Sequence, residues 1–243
     1  MEHINLLGTF IFIIIGYLIG SISPSIIISK IKFKTDVRDY YSKNAGATNS
    51  TRVMGGKWGA IILIIDGFKP AIPILIAYGL TFVNITNPNY EAMFKQAYIY
   101  PTGLAAIIGH CWPLFYGFRG GKGAASSLGV LLMINPIYCV ITIASWWFIL
   151  YLSRMSSLSS MLMMILAFIL SWIPNMPLHA FLSQQDTQYY IVNITMALIW
   201  ILIIIRHWDN CKRILNHTER KVTIFDKKNK KSSLYTKWIK IFF

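Results

Sequence analysis

Charge is scarce in this sequence. Asp, Glu, Lys and Arg make up 13% of 243 residues, about half the share of an ordinary soluble domain, which excludes a water-facing globular fold. Acidic residues are the scarcest, nine against 23 Lys and Arg, for a net charge of +14. In a soluble chain that excess would point to nucleic acid. Here 55% of residues are apolar, and the cations fall in the gaps between apolar runs and in the tail. That placement fits anionic membrane lipids and the positive-inside rule, and it excludes nucleic acid as a partner. Cysteine is also sparse. Cys111, Cys139 and Cys211 are too few and too scattered for a disulfide framework, and no Cys-x-x-Cys pair suggests a metal. No metal and no cofactor are expected. A basic segment before the first apolar run is missing too, since Glu2 and His3 precede a stretch long enough to span a bilayer. No cleavable signal is expected.

What is present is a series of apolar segments: residues 6–29, interrupted by Gly-Ser-Ile-Ser-Pro; 58–83, carrying Asp66 and Lys69; 98–117; the short 123–134; 137–152; 156–173; and 189–205. They predict an all-α integral membrane protein, a seven-transmembrane-helix bundle with some short helices, N-terminus outside and C-terminus cytoplasmic. Five crossings would leave the end orientations unchanged. Charge sets the orientation. Residues 30–57 hold Lys30, Lys32, Lys34, Arg38, Lys43, Arg52 and Lys57 against Asp36 and Asp39, and eleven basic residues lie beyond residue 205. These stretches, the loop at 117–124 and Arg154 all fall on one side. Residues 84–97 and 174–188 are expected outside.

Three polar stretches on the cytoplasmic side could carry chemistry. The first, GHCWPLFYGFRGGKGAASS at residues 109–127, sets Arg119 and Lys122 among Gly120, Gly121 and Gly123. Glycines can turn successive amides toward an anion, and a helix starting at the following Ala-Ala-Ser-Ser would add its positive end. It is not a Walker A loop, because Tyr116 and Gly123 stand where that motif needs glycine and a hydroxyl. The other reading is a tight interhelical turn with two interfacial cations. His110 is either a general base or a hydrogen-bonded interface residue. The second stretch, DVRDYYSKNAGATNSTR at 36–52, offers Ser42, Asn44, Thr48 and Asn49 between Arg38 and Arg52. These suit phosphate oxygens, or else Thr48 or Asn49 caps a helix. The third, RHWDNCKRILNHTERK at 206–221, places His207 and Asn210 on one face of a helix, or lies as a basic amphipathic helix on lipid. Asp66 and Lys69, three apart, could pair within the membrane. With Ser153 and Arg154 they are lesser candidates.

In order, GSISPSIIISKI, DVRDYYSKNAGATNSTRVMG, the Asp66 to Lys69 pair, GHCWPLFYGFRGGKGAASSLGVLL, SRMSSLSS and RHWDNCKRILNHTE resemble the acyl-phosphate-dependent glycerol-3-phosphate acyltransferase family. These are bacterial membrane enzymes described with seven transmembrane helices. The resemblance implies transfer of a fatty acyl group from a long-chain acyl phosphate to the 1-hydroxyl of sn-glycerol 3-phosphate, giving lysophosphatidic acid and phosphate in the first step of phospholipid synthesis. It also implies a supplier, an upstream acyl-phosphate-forming enzyme, as a partner. The family's essential serine and arginine match Ser42 and Arg52, its histidine and asparagine after the last helix match His207 and Asn210, and its glutamate beyond them matches Glu219, in a structural role. Its glycerol-phosphate loop matches Gly120, Gly121, Lys122 and Gly123. Departures are Tyr41 and Lys43 for the glycines flanking the serine, Pro70 for the glycine after Asp-x-x-Lys, and His217 for the glycine before Thr-Glu. Residues 1–205 then form the transmembrane catalytic domain with cytoplasmic loops 30–57 and 117–124. Residues 206–221 form a juxtamembrane part of the active site, and residues 222–243 a basic tail. A transporter of a phosphorylated solute is the alternative. It predicts inverted repeats and ionisable residues at the membrane midplane, and the sequence shows neither.

Overall fold

The computed structural model describes residues 6–82, 91, 94, 98–173 and 187–222. The loops expected outside and the tail beyond residue 222 fall largely beyond these. All regular structure among the described residues is helical: α1 (Leu6–Gly20), α2 (Pro24–Phe33), α3 (Ala47–Met54), α4 (Gly56–Phe68), α5 (Ala71–Leu80), α6 (Tyr100–Cys111), α7 (Ala124–Ile134), α8 (Pro136–Ser153), α9 (Ser156–Ser171), α10 (Thr187–Arg206) and α11 (Trp208–Leu215). A helix satisfies its own backbone, the condition that lipid imposes on a spanning segment.

Leu6–Phe33, Gly56–Leu80 and Pro136–Ser153 are long and apolar enough to cross a membrane. Residues Tyr190–Arg206 of α10 together with α11, bent by 57° at their junction, make a fourth candidate. Length and composition thus give three or four of the seven expected spans, since α7 and α9 are shorter apolar helices. Two boundaries differ from the sequence reading. The third segment stops at Cys111 because Pro113 and a short 3-10 turn, Leu114–Tyr116, follow. The loop at 30–57 is not all loop: α2 continues through Lys30 and Lys32, and α3 occupies residues 47–54.

The core sits where α6 meets α1, α7 and α10. Tyr100, Ile107 and Cys111 are buried there with Phe12, Val130, Met196, Ile199 and Ile203. Small residues allow α1 and α6 to touch backbone to backbone. A Cβ on Gly20 would lie 2.1 Å from the Ala106 carbonyl oxygen, and one on Gly109 2.3 Å from the Tyr17 carbonyl oxygen. Close approach through small residues is the usual source of helix affinity in lipid, where apolar burial gives little. Cys111 and Cys139 are buried in the core and unbonded. Apolar side chains such as Phe10, Ile64, Phe148 and Ile201 face outward.

Candidate active site

Four polar segments distant in sequence assemble at one end of the bundle. The segment before α3 is organised by Asp36, whose carboxylate accepts from the Arg38 backbone N–H (2.9 Å), Nε (3.0 Å) and Nη2 (2.8 Å). Those hydrogen bonds hold the Asp36 pKa down at about 2. Arg38 Nη1 in turn donates to the carbonyls of Tyr116 (2.7 Å) and Arg119 (3.1 Å), tying this segment to the glycine loop.

Ser42 lies between Tyr41 and Lys43, both left-handed at φ 48° and 56°. Its N–H donates to Asn49 Oδ1 (3.1 Å), while Asn49 Nδ2 donates to the carbonyls of Val37 (2.9 Å) and Tyr40 (3.2 Å). Asn49 is therefore occupied in shaping the serine loop, although it also lines the cavity. The capping reading of Thr48 and Asn49 is corrected: α3 starts from Gly46, without a side-chain cap. Thr48 Oγ1 instead meets Ser156 Oγ at 3.4 Å. Arg52, one turn further on, is partly buried and has no hydrogen-bond or ion-pair partner among the described residues. Burial pulls its pKa down, and the charge of Arg220 adds to the effect.

The glycine loop departs from the expected amide nest. Gly120 N–H donates to the Cys111 carbonyl (3.2 Å) and Gly121 N–H to the His110 carbonyl (3.0 Å), so both amides are spent within the chain. Neither glycine lines the cavity, nor does Arg119, which is exposed. The glycines are required by close packing: a Cβ on Gly121 would lie 2.0 Å from His110 Nε2. Gly123, at φ 86°, starts α7, and the expected helix after the loop is present. Lys122 is the residue the loop delivers. Its ammonium donates to Asn210 Oδ1, and burial, with Arg213 nearby, pulls its pKa down to about 8.

His110, weighed as a base, belongs to a buried cluster. Its Nδ1 lies 3.3 Å from both Asp66 Oδ1 and Lys69 Nζ, and Lys69 Nζ also reaches Asp66 Oδ1 (3.2 Å) and the Ile22 carbonyl (2.8 Å). The cluster ties the α1–α2 break to α4 and α6.

The last segment completes the site. His207 is buried at the bend between α10 and α11, with Nδ1 2.9 Å from the Ile203 carbonyl oxygen. That contact needs a proton on Nδ1, which leaves Nε2 as the acceptor of a neutral ring. Asn210 Nδ2 donates to Glu219 Oε1 (2.7 Å), as does Ser157 Oγ (2.9 Å), and Arg213 Nε donates to Glu219 Oε2 (2.8 Å). Burial pushes the Glu219 pKa up, but these hydrogen bonds outweigh it and hold the carboxylate below its usual range. Arg206 donates to the Gly121 carbonyl (2.8 Å), its guanidinium stacked 4.9 Å over Trp112.

Together these segments enclose a cavity of about 170 Å³ lined by Ser42, Asn44, Thr48, Asn49, Arg52, Lys122, Gly123, His207, Asn210 and Glu219. Apolar side chains line it as well: Leu63, Leu128, Ile143, Trp146 and Met163. Arg213, which the sequence places with Arg206 on a stripe beside His207 and Asn210, also lines it, as do Arg220 and Ser157, which were not singled out from the sequence. Cations beside a hydrocarbon wall can hold an amphiphile with an anionic head.

The model of one family, glycerol-3-phosphate acyltransferase, matches residues 10–217. Curated proteins named glycerol-3-phosphate acyltransferase are similar over most of their length. That of Mycoplasmopsis synoviae is 38% identical over 86% of this chain and 92% of its own, and that of Fusobacterium nucleatum 36% identical over 87% and 97%. Two crystal structures of PlsY (YgiH), an integral membrane glycerol 3-phosphate acyltransferase, share the fold. The glycerol 3-phosphate form has a TM-score of 0.72 at 32% identity, covering 88% of this chain and 95% of that one. The lysophosphatidic acid form has a TM-score of 0.69 at 31% identity.

Proposed function

The chain belongs to the glycerol-3-phosphate acyltransferase family, and from that premise we propose that it transfers a fatty acyl group from acyl phosphate to the 1-hydroxyl of sn-glycerol 3-phosphate. The products are lysophosphatidic acid and inorganic phosphate. The observation that carries the reading is a cavity lined both by the cations Arg52 and Lys122 and by the apolar Leu63, Ile143 and Trp146. It suits two phosphorylated substrates of which one bears an acyl chain.

Lys122 and Gly123, at the start of α7, hold the phosphate of glycerol 3-phosphate, and Asn210 orients the lysine. Arg52, with Ser42, Asn44 and Thr48, holds the phosphate of the donor and stabilises charge as it leaves. Asn49, Arg119, Gly120 and Gly121 act by shaping the two loops. The 1-hydroxyl oxygen bonds to the acyl carbonyl carbon, its proton passes to His207 Nε2, and the carbonyl–phosphate C–O bond breaks with its electron pair leaving on phosphate. Phosphate is already a good leaving group, so direct transfer needs no acyl-enzyme. Glu219 keeps Asn210 and Arg213 in place.

The same reading places the protein in the cell membrane with seven crossings, the shorter α6, α7 and α9 among them, N-terminus outside and the cavity on the cytoplasmic face. An upstream enzyme forming acyl phosphate supplies the donor. The test is to supply purified protein in lipid with palmitoyl phosphate and glycerol 3-phosphate and to identify the product by mass spectrometry. Lysophosphatidic acid formed by the wild type, and reduced ~10- to 100-fold in Lys122→Ala, is expected from loss of a charge-assisted contact. Uptake of glycerol 3-phosphate into sealed vesicles without acylation would overturn the proposal.

A further inference from the structure

The cavity carries a cation for which the reaction as set out has no use. Arg220 lines it from residues 216–222, the segment that follows α11 and returns across the site. The segment is anchored on both sides of this residue: Thr218 N–H donates to the Arg213 carbonyl (2.8 Å) and Val222 N–H to the Arg154 carbonyl (2.7 Å). The backbone thus fixes where the exposed side chain leaves the segment. Its neighbour Glu219 offers no free oxygen, because both are engaged by Ser157, Asn210 and Arg213. Asp66, which also lines the cavity, is held by Lys69 and His110, and Asp36 by Arg38 and Lys30. Among the described residues neither Arg220 nor Arg52 has an ion-pair or hydrogen-bond partner, yet both face one cavity.

Two guanidiniums on one cavity repel, and the charge of Glu219, which lines the same cavity, offsets only part of the effect of Arg220 on Arg52; each guanidinium presents a planar fork of N–H donors that fits phosphate oxygens in pairs. A phosphate dianion would relieve the repulsion and satisfy both. We infer that Arg220 is a substrate-binding residue that forms with Arg52 a second phosphate position at the cavity mouth, apart from Lys122. Its ligand is the phosphoryl group of a substrate. The inference rests on the proposed acyl transfer for the identity of that substrate, but not for the anion site itself.

Inorganic phosphate is the probe. Calorimetric titration of the purified full chain compares wild type, Arg220→Ala, Arg220→Lys and Lys212→Ala, the last removing an exposed cation that does not line the cavity. Arg220→Ala is expected to weaken phosphate binding ~10- to 100-fold, the loss typical of a charged hydrogen bond. Arg220→Lys should restore part of it, and Lys212→Ala should bind as wild type does. KM then assigns the occupant: a rise for palmitoyl phosphate identifies the donor, and a rise for glycerol 3-phosphate the acceptor. Unchanged phosphate binding in Arg220→Ala, or an equal loss in Lys212→Ala, overturns the inference. Failure of the wild type to use palmitoyl phosphate would instead remove the proposed reaction, and the titration would still decide the role of Arg220.

Discussion

Tyr41 and Lys43 hold the backbone around Ser42 in a conformation that glycine adopts more readily. Both are left-handed, and so is His217 at φ 55°. These are three of the four positions where the resembled family carries glycine and this chain does not, the fourth being Pro70 at φ −72°, so at these three the geometry is kept although the residue is not. A left-handed non-glycine residue costs about 1–2 kcal/mol, and glycine's extra backbone entropy offsets roughly 0.5–1 kcal/mol of that. Tyr41→Gly should therefore keep activity and leave the melting temperature unchanged or slightly raised. Tyr41→Val, β-branched and ill-suited to positive φ, should lower kcat/KM by at least about tenfold if Ser42 must stay where it is. Thermal unfolding and turnover of the two variants check this. Lys122 gives a pH dependence. Its pKa, lowered to about 8, means the free site holds its full positive charge below that pH and loses it as pH rises through it. KM for glycerol 3-phosphate should rise above pH 8. In Lys122→Arg, whose guanidinium stays charged, that rise should be absent. A flat wild-type profile from pH 7 to 9 would remove the lysine from phosphate binding.

Among the helices, α1 and α6 are joined where small residues let backbones meet. Gly20 cannot accept a side chain without moving the Ala106 backbone, since both its Cα and its carbonyl lie within 3 Å of the added carbon. Overpacking of this kind costs about 1–3 kcal/mol. Gly20→Val should lower the melting temperature in detergent by several degrees and should also lower activity, because α6 leads through His110 into the glycine loop. Wild-type stability in Gly20→Val would show that this contact is not required. The glycine loop marks the limit of sequence reading at this scale. Gly120 and Gly121 fit an anion nest and a close backbone approach equally well, and only the position of His110 beneath them decides for the second. Of the two cations that the sequence offered there, Lys122 lines the cavity and Arg119 does not, a difference that the sequence alone did not decide. Arg220 was not legible, for it stands in a run of basic residues and only the return of residues 216–222 across the cavity distinguishes it. The helices themselves were legible from apolar runs. The break after Gly20 was legible in Gly-Ser-Ile-Ser-Pro, whereas the stop at Cys111 depends on a local turn and the entry into α3 on Gly46 rather than on a capping side chain.

Across the whole molecule, loops far apart in sequence, 78 residues for Arg38 to Tyr116 and 88 for Lys122 to Asn210, meet at one end. Arg38 bonds the loop after α6, Lys122 bonds Asn210, and Arg154 accepts from Val222. Among the described residues, Arg38, Arg52, Lys122, Arg213 and Arg220 thus gather on the end that holds the cavity, which is what the positive-inside rule asks of a cytoplasmic face. Single cysteines at Lys57, Arg154 and Lys212, in a chain whose native cysteines are replaced by serine or alanine, should react with a membrane-impermeant maleimide only in inside-out vesicles. Labelling of any of them from outside intact cells would contradict this orientation. The account's central claim is that both phosphorylated substrates react in this one cavity. It is tested most directly by measuring release of inorganic phosphate from palmitoyl phosphate by purified protein, with and without glycerol 3-phosphate, beside Lys122→Ala. The account predicts release that requires glycerol 3-phosphate and is lost in the variant. Release that is independent of glycerol 3-phosphate, or undiminished in Lys122→Ala, would contradict it.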